Sequence, residues 1–219
     1  MIKFELKKAV ADAAHLFWQK ELTPGQDSGD VSLRDPETNL VYICPRPNGS
    51  LPIPNWGVIK PEDIVVMDLD GNIQEQNGIL ATVEAPMHLE IYKARPEANA
   101  IVHSHAEWSS VFAITGKNIP LALAEQSLFL GGEIICAEYG RVGSQAIADN
   151  VVAALGKNKQ CALMRNHGAV CIGKTMEGAF LNSDFLEKGA KTTLFGMILG
   201  GVIEIAPDNI IDDSLIGLI

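Results

Sequence analysis

Apolar residues along the chain recur with two periods, one helical and one alternating, and the switches between them mark its elements. Phe4, Leu6, Val10, Ala13, Ala14, Phe17 and Trp18 fall at helical spacing and predict an amphipathic first helix ending near "LTPG". Prolines crowd the stretch from Pro24 to Pro61, where the apolar run "LVYIC" predicts one or two short strands between turns. "DIVVMDLDGNIQEQ" predicts a strand meeting a tight hairpin turn at Asp70 and Gly71. "EAPMHLEIYKARPE" sets Met87, Ile91 and Ala94 on one face of a helix that stops at Pro96.

The second half continues the alternation. "NAIVHSHA" predicts a strand, "EWSSVFAITG" a helix, "EIICAEY" a strand, and "SQAIADNVVAALGKN" a helix with Ser144 as its N-cap. "CALMRNHGAVCIG" predicts two strands folded about Asn166, His167 and Gly168. From Thr175 to about Leu199 a long helix follows, with Met176, Phe180 and Phe185 on its apolar face. Helices alternating with hairpins imply a layered α/β fold whose sheet is at least partly antiparallel. The 219 residues suffice for one substantial core, and no linker-like tract interrupts them, so residues 1–219 are expected to form a single domain.

Charge narrows the range of partners. Lys and Arg number 17 against 27 Asp and Glu, a formal net charge of −10, and the cations are scattered. Neither a nucleic-acid backbone nor an anionic membrane finds a basic stripe to bind, so neither is expected as a partner. Cys44, Cys136, Cys161 and Cys171 form no C-x-x-C pair and read as reduced core residues. The N-terminus carries acidic residues within its apolar pattern and no cleavage signal, and "TTLFGMILGGVIEIA" is too short to span a bilayer. A cytoplasmic protein is the expectation.

The chemistry begins at "AIVHSHAEW". If residues 99 to 105 are extended, His103 and His105 project from one face and Ser104 from the other. Two neutral imidazoles side by side suit one borderline cation, whereas two protonated ones would repel. A pair of surface histidines fits the same spacing. His167 adds a third ring, on a tight turn that could hold it towards a neighbouring strand end. Three imidazoles leave a coordination position open, as a catalytic site requires. Zinc is the first expectation for this divalent metal, with manganese, cobalt or iron as the others.

A metal-activated carbonyl also needs a proton carrier. Glu84, where strand gives way to helix, is the carboxylate candidate, although an acid near a helix N-terminus is favoured there in any case. His88 shares the helical face of Glu84 and reads as a packing histidine, and His15 reads as structural.

The stretches "IKPEDIVVMDLDG", "EAPMHLEIYKARPEANAIVHSHA", "LGGEIICAEYGRVGS" and "MRNHGAVCIGKTMEGAF", which together cover most of residues 59 to 180, resemble the class II aldolase/adducin family, which includes fuculose-phosphate aldolases and ribulose-phosphate epimerases. The resemblance implies a class II aldolase-like three-layer α/β/α fold with a nine-stranded, mainly antiparallel sheet. It also implies a homotetramer with sites at subunit interfaces. It assigns His103, His105 and His167 to the divalent ion and makes Glu84 a metal ligand or the acid/base.

The substrate positions depart from the family pattern. Where sugar-phosphate members carry a Gly-Asn pair, this chain has Gly29-Asp30; where they carry a Ser-Ser pair, it has Thr82 and Val83. An aspartate repels phosphate and a valine offers no hydroxyl donor. The family's tyrosine acid after an Ile-Pro step is missing: the counterpart of Ile119-Pro120 leads to Ala124, followed by Glu125 as a substitute proton donor. Trp56, Arg34, Arg46 and Asn48 fit either pocket lining or loop packing.

The first expected function is therefore a metal-dependent lyase that cleaves a C–C bond in a small, non-phosphorylated or phosphorylated carbonyl compound through a metal-stabilised enolate or enediolate. A β-diketone hydrolase or β-keto acid decarboxylase on the same fold is the second, needing neither phosphate loop nor tyrosine. A non-catalytic adducin-like interaction module is the third.

Overall fold

The extended runs pair edge to edge into one sheet. In a computed structural model that describes residues 1–23, 28–46 and 56–206, eight strands take part: β1 (Asp30–Arg34), β2 (Val41–Ile43), β4 (Val65–Met67), β5 (Ile73–Glu75), β7 (Ala100–Ser104), β8 (Cys136–Ala137), β9 (Cys161–Met164) and β10 (Gly168–Gly173). Their order is β5-β4-β2-β1-β7-β10-β9-β8, and β3 (Pro45–Arg46) pairs separately with β6 (Leu80–Ala81). Only β8 and β9 run parallel, so the sheet is mainly antiparallel, as expected. The described residues thus form eight strands and a two-stranded ladder where the resemblance implied nine in one sheet.

Among the described residues five α-helices cover it: α1 (Phe4–Gln19), α2 (Ala85–Ala94), α3 (Glu107–Thr115), α4 (Gln145–Leu155) and α5 (Met176–Ile198). Strand side chains alternate between two cores. Ile101, Val170 and Ile172 meet α2 and α4, while Ala100, Val102, Ala169 and Cys171 meet α1, α3 and α5. The result is the three-layer α/β/α arrangement.

Most elements lie where the apolar spacing put them, and the exceptions have local causes. Phe4 and Trp18 of the predicted apolar face are 58% and 38% exposed, because the buried stripe of α1 runs through Val10, Ala14 and Phe17 instead. Ala94 is exposed at the fraying end of α2. The strand expected over "EIICAEY" shrinks to Cys136–Ala137, since Ile134 is held in a bridge with Ile119 outside the ladder. Ser144 caps α4 as expected, its Oγ accepting the Ile147 N–H. All four cysteines are free and buried, and among the described residues no helix is long and apolar enough to cross a membrane.

Candidate metal centre

Strand register brings the three histidines together. β7 delivers His103 near its end and His105 just beyond it, and β10 pairs with β7 so that Ala169 faces Ser104. The turn joining β9 to β10 therefore sits beside the end of β7, carrying His167. Asn166 adopts φ +57° in that turn, and the His167 N–H donates to the Met164 carbonyl at 3.0 Å. Gly168 allows the close approach: a Cβ there would lie 2.2 Å from the Ser104 carbonyl oxygen and 3.0 Å from His105 Cδ2. On the other side, Gly29 (φ +72°) lets β1 begin against β7, where a Cβ would come within 2.5 Å of the His103 carbonyl oxygen.

The rings meet edge to face, with centroids 4.8–4.9 Å apart in all three pairs. One ligand atom from each lies within 4.8 Å of the others. His103 Nδ1 lies 3.0 Å from the Ala169 carbonyl oxygen, which accepts only, so Nδ1 carries the proton and Nε2 the lone pair. That Nε2 faces His105 Nε2 at 3.2 Å. His167 Nδ1 is buried without a partner. Burial first, and then the neighbouring rings, hold the three imidazoles down at about 4, so all are neutral near pH 7. Convergent neutral nitrogens and an orphaned buried ring atom fit a divalent metal ion.

Glu84 occupies the N-cap position of α2 and is 3% exposed. Its Oε1 accepts the Gly143 N–H at 3.0 Å, while Oε2 is buried with no partner. Burial, with the charge of Asp30 second, pushes its carboxyl up to about 7. Such a group exchanges protons at neutral pH. Among the described residues, Glu84 stands outside the group of donor atoms that converge for a metal.

The expected substrate residues divide. Asp30 is buried, and both its oxygens are engaged: Oδ1 lies 2.8 Å from His88 Nε2, and Oδ2 accepts the Thr82 hydroxyl. Burial works against its charge, but the adjoining His88 ring prevails and holds Asp30 down at about 2. Thr82 Oγ1 in turn accepts the Glu84 N–H at 3.2 Å. These two residues thus brace the Glu84 turn. Val83 is 40% exposed in a shallow groove it shares with Arg46. Glu125 accepts from Lys188 Nζ on α5 at 2.8 Å.

Further placements fill in the sequence reading. His88 is more than a packing residue: Nδ1 meets Ser32 Oγ at 2.8 Å, and that hydroxyl meets the Tyr92 hydroxyl at 2.8 Å. Trp56 is buried, its Nε1 donating to the Ser28 carbonyl, and Arg34 is buried against Asn99 and the Tyr92 ring. Both serve packing. Asn48 lies outside the described residues. His15 meets the Ile59 carbonyl at 2.9 Å, in keeping with a structural role. The Gly143 amide went unnoticed in the sequence, although "YGRVGS" between a strand and a helix marks a turn whose N–H groups are free to serve a side chain.

A family model described as the class II aldolase and adducin N-terminal domain matches residues 8–194. This chain belongs to the class II aldolase and adducin family. An L-fuculose phosphate aldolase of Methanococcus maripaludis is 33% identical over 177 residues, spanning 81% of this chain and 89% of the relative. A 5-deoxy-D-ribulose 1-phosphate aldolase of Bacillus thuringiensis is 30% identical over 166 residues, spanning 76% and 73%. A solved L-fuculose 1-phosphate aldolase superposes with a TM-score of 0.88 at 26% identity, over 100% of this chain and 97% of its own. The class II aldolase fold and an aldolase-type lyase activity follow for this chain, setting the non-catalytic module aside.

Proposed function

We propose that this class II aldolase holds a divalent ion, zinc in first place with manganese, cobalt or iron as alternatives, on His103, His105 and His167, and cleaves a C–C bond in a small carbonyl compound with Glu84 as its proton carrier. The observation that carries the reading is the convergence of three neutral imidazoles in one fold with a buried carboxyl at about 7. A bound ion supplies Lewis-acid polarisation of a carbonyl oxygen. Everything else falls to the chain. Oε2 of Glu84, free of partners, takes the hydroxyl proton of a β-hydroxy carbonyl compound as the C–C bond breaks, and returns a proton to the carbon that gained the electron pair. Gly143, Thr82 and Asp30 fix the carboxyl while it does so.

The experiment is aldehyde release from short hydroxy-ketones, with and without phosphate, by zinc-loaded protein and by Glu84→Gln. The variant should lose about 10²–10⁴-fold in kcat, the range of a single general acid/base. Wild-type rates in Glu84→Gln would remove Glu84 from the chemistry.

One observation favours a second reading. Ala124 stands at the counterpart of the family's tyrosine and Glu125 pairs with Lys188, so Glu84 is left to carry the proton transfers of a retro-aldol cleavage by itself. Hydrolysis of a β-diketone uses one proton carrier: Glu84 takes a proton from water as its oxygen attacks a carbonyl carbon, the C–C bond to the central carbon breaks, and Glu84 returns the proton to that carbon, which leaves with the electron pair. Solvent oxygen-18 in a carboxylate product would identify that course. A cytoplasmic homotetramer with sites at its subunit interfaces belongs to the same proposal. Free thiols support the compartment, and exposed apolar residues at the end of α5, among them Ile198 and Leu199, support association.

A further inference from the structure

The face of α2 that meets the sheet carries a ladder of polar side chains through an apolar core. Glu84, His88 and Tyr92 follow one another at intervals of four along the helix, and Asp30, Ser32 and Arg34 at intervals of two along β1. Four helical residues rise about 6 Å and two strand residues about 6.6 Å, so the two series stay in step. Asp30 Oδ1 lies 2.8 Å from His88 Nε2, and neither atom has a hydrogen bond to any other group among the described residues. His88 Nδ1 lies 2.8 Å from Ser32 Oγ, the Tyr92 hydroxyl donates to the Ser32 carbonyl at 3.1 Å, and the Arg34 guanidinium lies 5.5 Å from the centre of the Tyr92 ring. All of these residues are buried, in the layer that holds Met87, Ile91 and Ile101, while Val31 and Leu33 turn to the opposite layer.

Apolar residues at these positions would hold α2 on β1 without desolvating a carboxylate, so stability alone does not call for the ladder. What its polar groups add is register: a slip of α2 by one residue turns His88 about 100° away from β1. The Asp30 end lies at the site. Asp30 stands opposite His103 in the pairing of β1 with β7, and its Oδ2 accepts from Thr82, whose Oγ1 accepts the Glu84 N–H. We propose that His88 is a positioning residue for Glu84: by holding Asp30 it fixes the rotation and depth of α2, and with them the place of the Glu84 carboxyl relative to the histidine cluster. The proposal rests on the reading of Glu84 as the proton carrier, but the placement it describes can be read without turnover.

The test compares two amides in place of the imidazole. His88→Gln carries its N–H donor about as far out as Nε2, within reach of Asp30, whereas His88→Asn carries it near Nδ1, within reach of Ser32 only. The Gly143 N–H, which donates to Glu84 Oε1 at 3.0 Å from a separate segment of the chain, reports where the carboxyl sits. In metal-free His88→Asn its proton–nitrogen NMR signal should leave the native position and exchange with solvent about tenfold faster or more relative to the β7 amides. His88→Gln should bring that signal back towards the native one. With zinc loaded, kcat for aldol addition of dihydroxyacetone or its phosphate to acetaldehyde should be about tenfold lower or more in His88→Asn than in His88→Gln, at matching KM and zinc stoichiometry. Absence of product with native protein counts against the aldolase reading and leaves the Gly143 signal to decide this proposal. A Gly143 signal that stays native in His88→Asn, or that moves alike in both variants, overturns it. Should neither variant fold, Ser32→Ala, which removes the partner of His88 Nδ1, takes their place: a displaced Gly143 signal supports the proposal and an unmoved one overturns it.

Discussion

Glu84 combines burial, a single backbone donor on Oε1 and an unpartnered Oε2. In metal-free protein its carboxyl should titrate near 7, measurable by carbon-13 NMR of labelled glutamate. Asp30→Asn should move that midpoint down, because a neighbouring negative charge is the second cause of the rise. A midpoint near the ordinary carboxylate value in the native protein would contradict this placement. The sequence exposed the histidines well: strand alternation alone puts His103 and His105 on one side, and the turn composition presents His167 beside them. Asp30 and His88 could not be paired in the same way, since 58 positions separate them and only the docking of α2 on β1 joins them. A buried polar pair carries no local period.

At the scale of elements, the β9–β10 turn sets the geometry of the centre. It needs Asn166 in the left-handed region and Gly168 pressed on β7, and both follow from the cross-strand register of β10 with β7. Gly168→Ala forces a methyl onto backbone at Ser104 that has no rotamer with which to yield. It should destabilise the fold by about 1–3 kcal/mol, the usual range for overpacking, and weaken metal affinity together with stability. Denaturant melts and a metal titration on the same sample measure both, and an unperturbed variant would show that the turn has room to spare. Helix identities were legible at α1 and α4 because each keeps a 3.6-residue apolar period. Strand lengths were less so. "EIICAEY" is apolar enough for a strand, yet the bridge between Ile119 and Ile134 diverts its first half, a non-local contact that composition does not encode.

For the whole molecule, the histidines and acids of the centre set a pH dependence of stability. His103, His105 and His167 are held at about 4 in the folded chain against an ordinary 6.5, so an unfolded chain binds protons that the folded one does not. Stability from these rings is complete above 6.5 and is lost as pH falls towards 4. Glu84 acts oppositely, its contribution complete below its ordinary 4.5 and lost as pH rises through 7. With three groups against one, the unfolding midpoint of metal-free protein should drop as pH falls from 6.5 to 4.5. His105→Gln should make that drop shallower; an identical slope in the variant would place the titration elsewhere.

Zinc binding to metal-free protein, followed by calorimetry, bears most directly on the central claim. One ion per chain is expected, with binding lost or weakened by orders of magnitude in each of His103→Ala, His105→Ala and His167→Ala while the fold persists by circular dichroism. Zinc uptake indifferent to all three substitutions, or none at all in the native chain at neutral pH, would contradict a metal centre built on these imidazoles.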